Sequence, residues 1–197
     1  MNATPAIPAL QRANQLALVA AFAALIVALG AISIPVPGSA VPVTGQTLGV
    51  LLAANVLGAR RGALAVALVL LLGFLGMPVF AGGQGGAAVF VSATGGYLFG
   101  MLLAAAAVGA LTERLGTSAV ALATRVAVSG SVGVFAVYLV GVPWLAFVTE
   151  RPLWESLNTG MVPFLPGDLF KAVVAAAGGH AAIQPLARAN PAFARSR

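Results

Sequence analysis

Long apolar runs, broken mainly by glycine, proline and scattered arginines, constrain this chain more than any other feature. Only 7% of its 197 residues are charged, against 60% hydrophobic, where a soluble domain carries about a quarter charged residues. Such a chain lacks the polar groups to cover a water-facing surface, so lipid must be the solvent for most of it. A helical crossing takes about 20 apolar residues. The length accommodates about six crossings with short connections and leaves no room for a soluble domain, so residues 1–197 read as a single transmembrane domain.

Apolar runs and Gly/Pro punctuation place the six spans at 14–34, 46–57, 63–76, 97–111, 125–147 and 167–183. The first ends at Pro35-Val-Pro37-Gly38. Residues 58–62 form a sharp turn between the second and third, 77–96 is glycine-rich, and the break after the fourth falls at Glu113-Arg114-Leu115-Gly116. Two spans are short for a full crossing and are expected to tilt or to be extended by loop residues buried in protein. No internal repeat supports an inverted-repeat transporter. Residues 1–13 are polar and contain proline, which does not read as a removable signal peptide.

The net charge of +6 is dispersed between hydrophobic segments rather than gathered into a nucleic-acid patch. With six spans, Arg12, Arg60, Arg61, Arg114, Arg125, Arg188, Arg195 and Arg197 all fall on one side. The other side holds Arg151 with Glu150 and Glu155. The positive-inside rule then makes both termini cytoplasmic. The expected fold class is therefore an all-α, multi-pass protein of the cell membrane with about six transmembrane helices.

Four unusual segments then share the outer side: 33–47, 78–94, 142–163 and the start of the sixth span. Uncharged Gly- and Pro-rich backbone at membrane depth must pack on protein or line a cavity, which predicts an outward-facing pocket. Asp168 and Lys171, spaced i, i+3 at the start of a hydrophobic helix, share one helical face. A charge inside a membrane helix usually marks function. Together they would present an acceptor and a cation to a polar, anionic ligand; read structurally, they would be a helix cap and a snorkelling lysine. Gln46 and Gln84 carry amides able to donate and accept, or simply solvate their loops. Tyr97, Tyr138, Trp144 and Trp154 are either pocket or interfacial-belt residues. Small residues recur on the first span at Ala13, Ala17, Ala21, Ala24 and Ala28, the spacing that lets helices pack closely, internally or on a partner subunit.

No cysteine is present, and His180 is the only histidine. No metalloprotease, hydrolase or P-loop motif occurs, so neither an enzyme nor a metal site is expected, and any ATP-driven step would need partners.

Several stretches, in order, resemble the BioY family, the biotin-specific substrate-capture components of energy-coupling factor transporters. They are Ile34-Pro-Val-Pro-Gly38 with Val41-Pro-Val-Thr-Gly-Gln-Thr-Leu-Gly-Val50, then Gly58-Ala-Arg-Arg-Gly-Ala63 and Gly76-Met-Pro-Val-Phe-Ala-Gly-Gly83. Thr94-Gly-Gly-Tyr-Leu-Phe-Gly100, Tyr138-Leu-Val-Gly-Val-Pro-Trp144 and Pro163-Phe-Leu-Pro-Gly-Asp-Leu-Phe-Lys171 complete the set. The resemblance implies a biotin pocket near the outer face and no cofactor. Lys171 would pair with the ligand carboxylate and Asp168 would accept from a ureido N–H. Gln84 would stand where the family's asparagine reads the ureido group, with Trp144 stacking on the fused rings and Tyr97 and Gln46 lining the pocket. It also implies docking of the first helix, through Ala17, Ala21 and Ala24, to a membrane coupling subunit driven by paired ATPases. Capture of another vitamin, and a structural membrane protein without a small ligand, are the alternative readings.

Overall fold

The computed structural model describes residues 6–115 and 118–189. Helix α1 (Ala6–Ala31) is alanine-rich, and alanine is the best helix former. It stops short of Pro35 and Pro37, whose rings disfavour helix at and before them. A two-residue antiparallel ribbon follows, β1 (Ser33–Ile34) pairing with β2 (Val43–Thr44) in the register Ser33↔Thr44 and Ile34↔Val43. The first span thus ends earlier than expected, because its last residues belong to this ribbon.

Helix α2 (Gln46–Phe74) is broken at Gly58, whose φ of 78° and ψ of −175° belong to a region open essentially to glycine alone. The break reverses the chain. A Cβ on Gly62 would lie 3.1 Å from the Cα of Ala54, and the Gln46 amide reaches the carbonyl of Val79, beyond the far end of the helix. Residues 46–57 and 59–74 are therefore two antiparallel limbs. The expected turn is present but tighter: residues 59–62 are helical, and Gly58 alone turns the chain.

Beyond a 3-10 turn (Ala81–Gly83) and the short α3 (Ala87–Val91), α4 covers Gly95–Thr112. Helix α5 (Ala119–Val128) passes through a π-helical turn (Ser129–Gly133) into α6 (Val134–Thr149). It begins six residues before the expected start, because the Ser118 hydroxyl accepts from the Ala121 amide as an N-cap. The mixed segment expected near 149–166 contains α7 (Leu153–Gly160), which meets α8 (Leu165–Ala189) at 56°. By length and composition, four described helices suit a membrane crossing, and a fifth does if α7 and α8 are one bent span. Dividing α2 at its reversal gives six apolar limbs, of which the two halves of α2, residues 46–57 and 59–74, are short.

The first limb of α2 is the axis of the bundle. Val50, Leu51, Ala53, Ala54, Asn55 and Val56 are completely buried, and α2 packs on α4, α1 and α8. The two ends of the bundle differ in chemistry. One end gathers the ribbon, the 77–94 connection, α7 and the N-termini of α4 and α8. The opposite end holds the Gly58 reversal, with Arg12, Arg60, Arg114 and Arg188 exposed; Arg195 and Arg197 lie outside the described residues. Arg125 lies at this end too, as expected of the inner end of the fifth span, but it is no exposed topology charge. It lies inside a helix, wholly buried, and donates to the carbonyls of Asn55 (3.2 Å) and Leu115 (2.8 Å). Those carbonyls lie close to where the first limb of α2 and helix α4 end, so the guanidinium serves two helix C-termini at once. Glu113 completes the arrangement by accepting from the Ala59 amide, at the start of the second limb, at 3.2 Å.

Candidate functional site

The end of the bundle opposite Arg12, Arg60, Arg114 and Arg188 holds a cavity of about 630 Å³, a figure that includes the open solvent at its mouth. Its floor is the N-terminal turn of α2, and its walls come from the β2 ribbon strand, the 77–94 connection, α4, α6 and α8. Apolar groups dominate: Val41, Val43, Phe80, Leu98, Val137 and Phe164. Such a lining with a few polar groups converging on it is typical of small-molecule sites.

The charged pair lies in the wall. The Lys171 ammonium donates to Asp168 Oδ1 at 2.8 Å, and the side chains are only 17% and 9% exposed. The Tyr138 hydroxyl donates to the other carboxylate oxygen, Oδ2. Asp168 is therefore directed into the protein toward Tyr138 rather than acting as an exposed helix cap, and Lys171 is tethered instead of snorkelling outward. Tyr97, 6% exposed, lines the same cavity and donates its hydroxyl to the Gly160 carbonyl at 2.9 Å. Its ring stands edge-on to that of Tyr138, with centroids 6.2 Å apart, and lies over Gly141, where a Cβ would meet it at 2.5 Å.

Gln46 and Gln84 both line the cavity but differ in kind. Gln46 is buried, and its amide donates to the Val79 carbonyl at 3.2 Å, tying the glycine-rich connection to the start of α2. Gln84 is exposed at the mouth, where its backbone carbonyl accepts from the Phe80 amide at 3.0 Å and closes the small loop. Trp144 does not line the cavity, which corrects the ring stacking expected of it. Its indole N–H donates to the Ser92 carbonyl at 2.9 Å, and its ring neighbours Phe99 and Phe147. It braces the connection against α6. On α1, Ala17, Ala21 and Ala24 are exposed, while Val19, Ala23 and Ile26 face the core, so the small-residue stripe points away from the bundle.

In the sequence Tyr138 reads as either a pocket or an interfacial aromatic, with nothing to single it out from Tyr97, Trp144 and Trp154. The signal that identifies it is position: it shares one helical face with Gly141, Val142 and Leu145, all buried, and it is the only polar side chain among them. Phe80 and Phe164 carried no signal, because their place in the wall depends on how the loops fold back.

A bundle of apolar helices with a charge-paired, mostly apolar cavity at one end defines an integral membrane protein with a small-molecule pocket. The particular family follows from comparison with known proteins. Residues 2–188 match the BioY family. The chain is 43% identical to the biotin transporter BioY of Rhizobium etli over 140 residues, 69% of this chain and 74% of that one. It is 45% identical to the biotin transporter BioY of Thermotoga maritima over 131 residues, 66% and 74% respectively. Its fold is similar to the crystal structure of the S-component for biotin from an ECF-type ABC transporter. The TM-score is 0.78 at 33% identity, covering 87% of this chain and 91% of that one. The chain belongs to the BioY family, whose members are transporter components and not enzymes.

Proposed function

We propose that this protein captures biotin from the outer face of the cell membrane as the substrate-binding component of an energy-coupling factor transporter. The observation that carries this reading is the Asp168–Lys171 pair, set into the wall of an apolar cavity in a chain of the BioY family. Biotin combines an apolar fused ring, a ureido group and an anionic tail. In this reading Lys171 meets the carboxylate, Asp168 accepts from a ureido N–H, and Gln84 offers an amide at the mouth. Tyr97 and the cavity-facing part of Gln46 shape the wall.

Six spans with both termini cytoplasmic agree with four exposed arginines, Arg12, Arg60, Arg114 and Arg188, at the end away from the cavity, against Arg151 at the other. The whole chain acts as one binding unit, and it needs no cofactor of its own. Ala17, Ala21 and Ala24 form a docking face for a membrane coupling subunit, and the paired ATPases of that module hydrolyse the ATP. Small residues there let a partner helix approach closely.

Calorimetric titration of the detergent-purified protein tests the reading. Biotin is expected to bind one per chain, with other vitamins giving no heat. Binding of another vitamin in preference to biotin would overturn the substrate assignment, and no binding of any would overturn capture itself.

A further inference from the structure

Two donors hold the Asp168 carboxylate, and they come from different places. Lys171 stands one turn along the same helix and takes Oδ1; Tyr138 reaches across from α6 and takes Oδ2. The final torsion of an aspartate is broad, so a donor on its own helix leaves the carboxylate plane loosely set. A second donor from another helix sets it. Tyr138 is itself held, since its ring is packed edge-on by Tyr97, which is anchored through its hydroxyl to Gly160 at the end of α7. The orientation of Asp168 is thereby referred to α4, α6 and α7 together. A buried hydroxyl is costly without a partner, and phenylalanine would fill the same space, so the hydroxyl has a job that packing does not supply.

We propose that Tyr138 is a positioning residue for ligand recognition, orienting the Asp168 carboxylate so that its remaining lone pairs meet ligand N–H donors in the cavity. An ionised carboxylate has about four acceptor sites; Tyr138 and Lys171 occupy one on each oxygen, which leaves capacity for a ligand. The inference rests on Asp168 as the ligand acceptor, and it adds the residue on which that role depends.

The test uses a peculiarity of this chain: Asp168 is its only aspartate. Protein labelled with carboxyl-¹³C aspartate therefore reports one side-chain carboxylate. Without ligand, Tyr138→Phe is expected to shift that signal. Tyr97→Phe, which loosens the anchor behind Tyr138 but removes no donor from Asp168, is expected to shift it less. In titrations with biotin, Tyr138→Phe is expected to raise Kd about tenfold, the scale of a hydrogen bond to a charged group. Repeated in an Asp168→Asn background, the change should cost less than about twofold, because coupled residues are non-additive.

An unmoved carbon signal, an unchanged Kd, or equal losses in both backgrounds would overturn the proposal. Where Asp168→Asn binds too weakly to titrate, the carbon signal and the Kd of Tyr138→Phe decide. Wild-type protein that ignores biotin sinks the ligand assignment alone, and the carbon signal still decides whether Tyr138 orients Asp168.

Discussion

The only lysine in the chain, Lys171, donates to its only aspartate, Asp168, at 2.8 Å in the cavity wall. Losing one member of a desolvated, hydrogen-bonded pair costs about 2–5 kcal/mol, much of it from leaving the other charge unpaired. Lys171→Met and Asp168→Ala are each expected to weaken biotin binding by at least about thirtyfold while the protein still inserts. Titration of both purified variants checks this; wild-type affinity in both would remove the site.

The reversal at Gly58 yields a second prediction. Its backbone conformation is strained for any other residue, and a Cβ there would stand 2.9 Å from a carboxylate oxygen of Glu113. Gly58→Ala is expected to destabilise the protein by about 1–3 kcal/mol, read as a lower melting temperature in detergent. Equal melting temperatures would mean that the turn relaxes into another shape.

Arg125 gives the third. Replacing it by methionine removes this donor from the carbonyls of Asn55 and Leu115, each a hydrogen bond to a charged group worth about 1.5–3 kcal/mol. The expected result is a large drop in thermal stability with biotin affinity of the folded fraction little changed, since Arg125 lies at the end of the bundle away from the cavity. Loss of affinity without loss of stability would contradict its role as a staple between helix ends.

A fourth concerns Gln46. Gln46→Met removes the single bond from its amide to the Val79 carbonyl while keeping the volume. The connection forming one side of the cavity should loosen, and biotin should leave a few times faster, in keeping with about 1 kcal/mol for one hydrogen bond. Stopped-flow displacement measures it, and an unchanged off-rate would show that the loop is held by other contacts.

The fifth separates capture from delivery. Ala17→Trp and Ala21→Trp fall on the exposed stripe of α1, and neither residue lines the cavity. Both are expected to abolish uptake or co-purification of the coupling subunits while leaving biotin affinity within about twofold of wild type. Full uptake by both variants would place the docking face elsewhere.

Much of this architecture was readable before any coordinates, because lipid leaves few options. Apolar length gave the limbs, and the charge asymmetry gave the two ends. Asp168 and Lys171 stood out because charge inside a membrane helix is rare. What sequence could not supply was pairing across the bundle. Trp144 has the composition of a pocket aromatic, yet it is turned toward Phe99 and Phe147. Arg125 looks like a surface topology charge until the carbonyls near two helix ends are brought to it. Tyr138 is one aromatic among several until α6 is rotated to show which of its faces is buried. Gly58 was legible as a turn, but not how tight a turn, since that depends on a positive φ and a close neighbour.

The first limb of α2 covers residues 46–57, about 18 Å at 1.5 Å per residue, against a hydrocarbon core about 30 Å thick. Because it is sheathed by the other helices, it never has to match the bilayer. The cavity opens where this limb stops short, above its N-terminal turn, and the surrounding elements wall the gap. Evolution can therefore reshape what fits there by altering the rim and ceiling, without disturbing the pillar beneath.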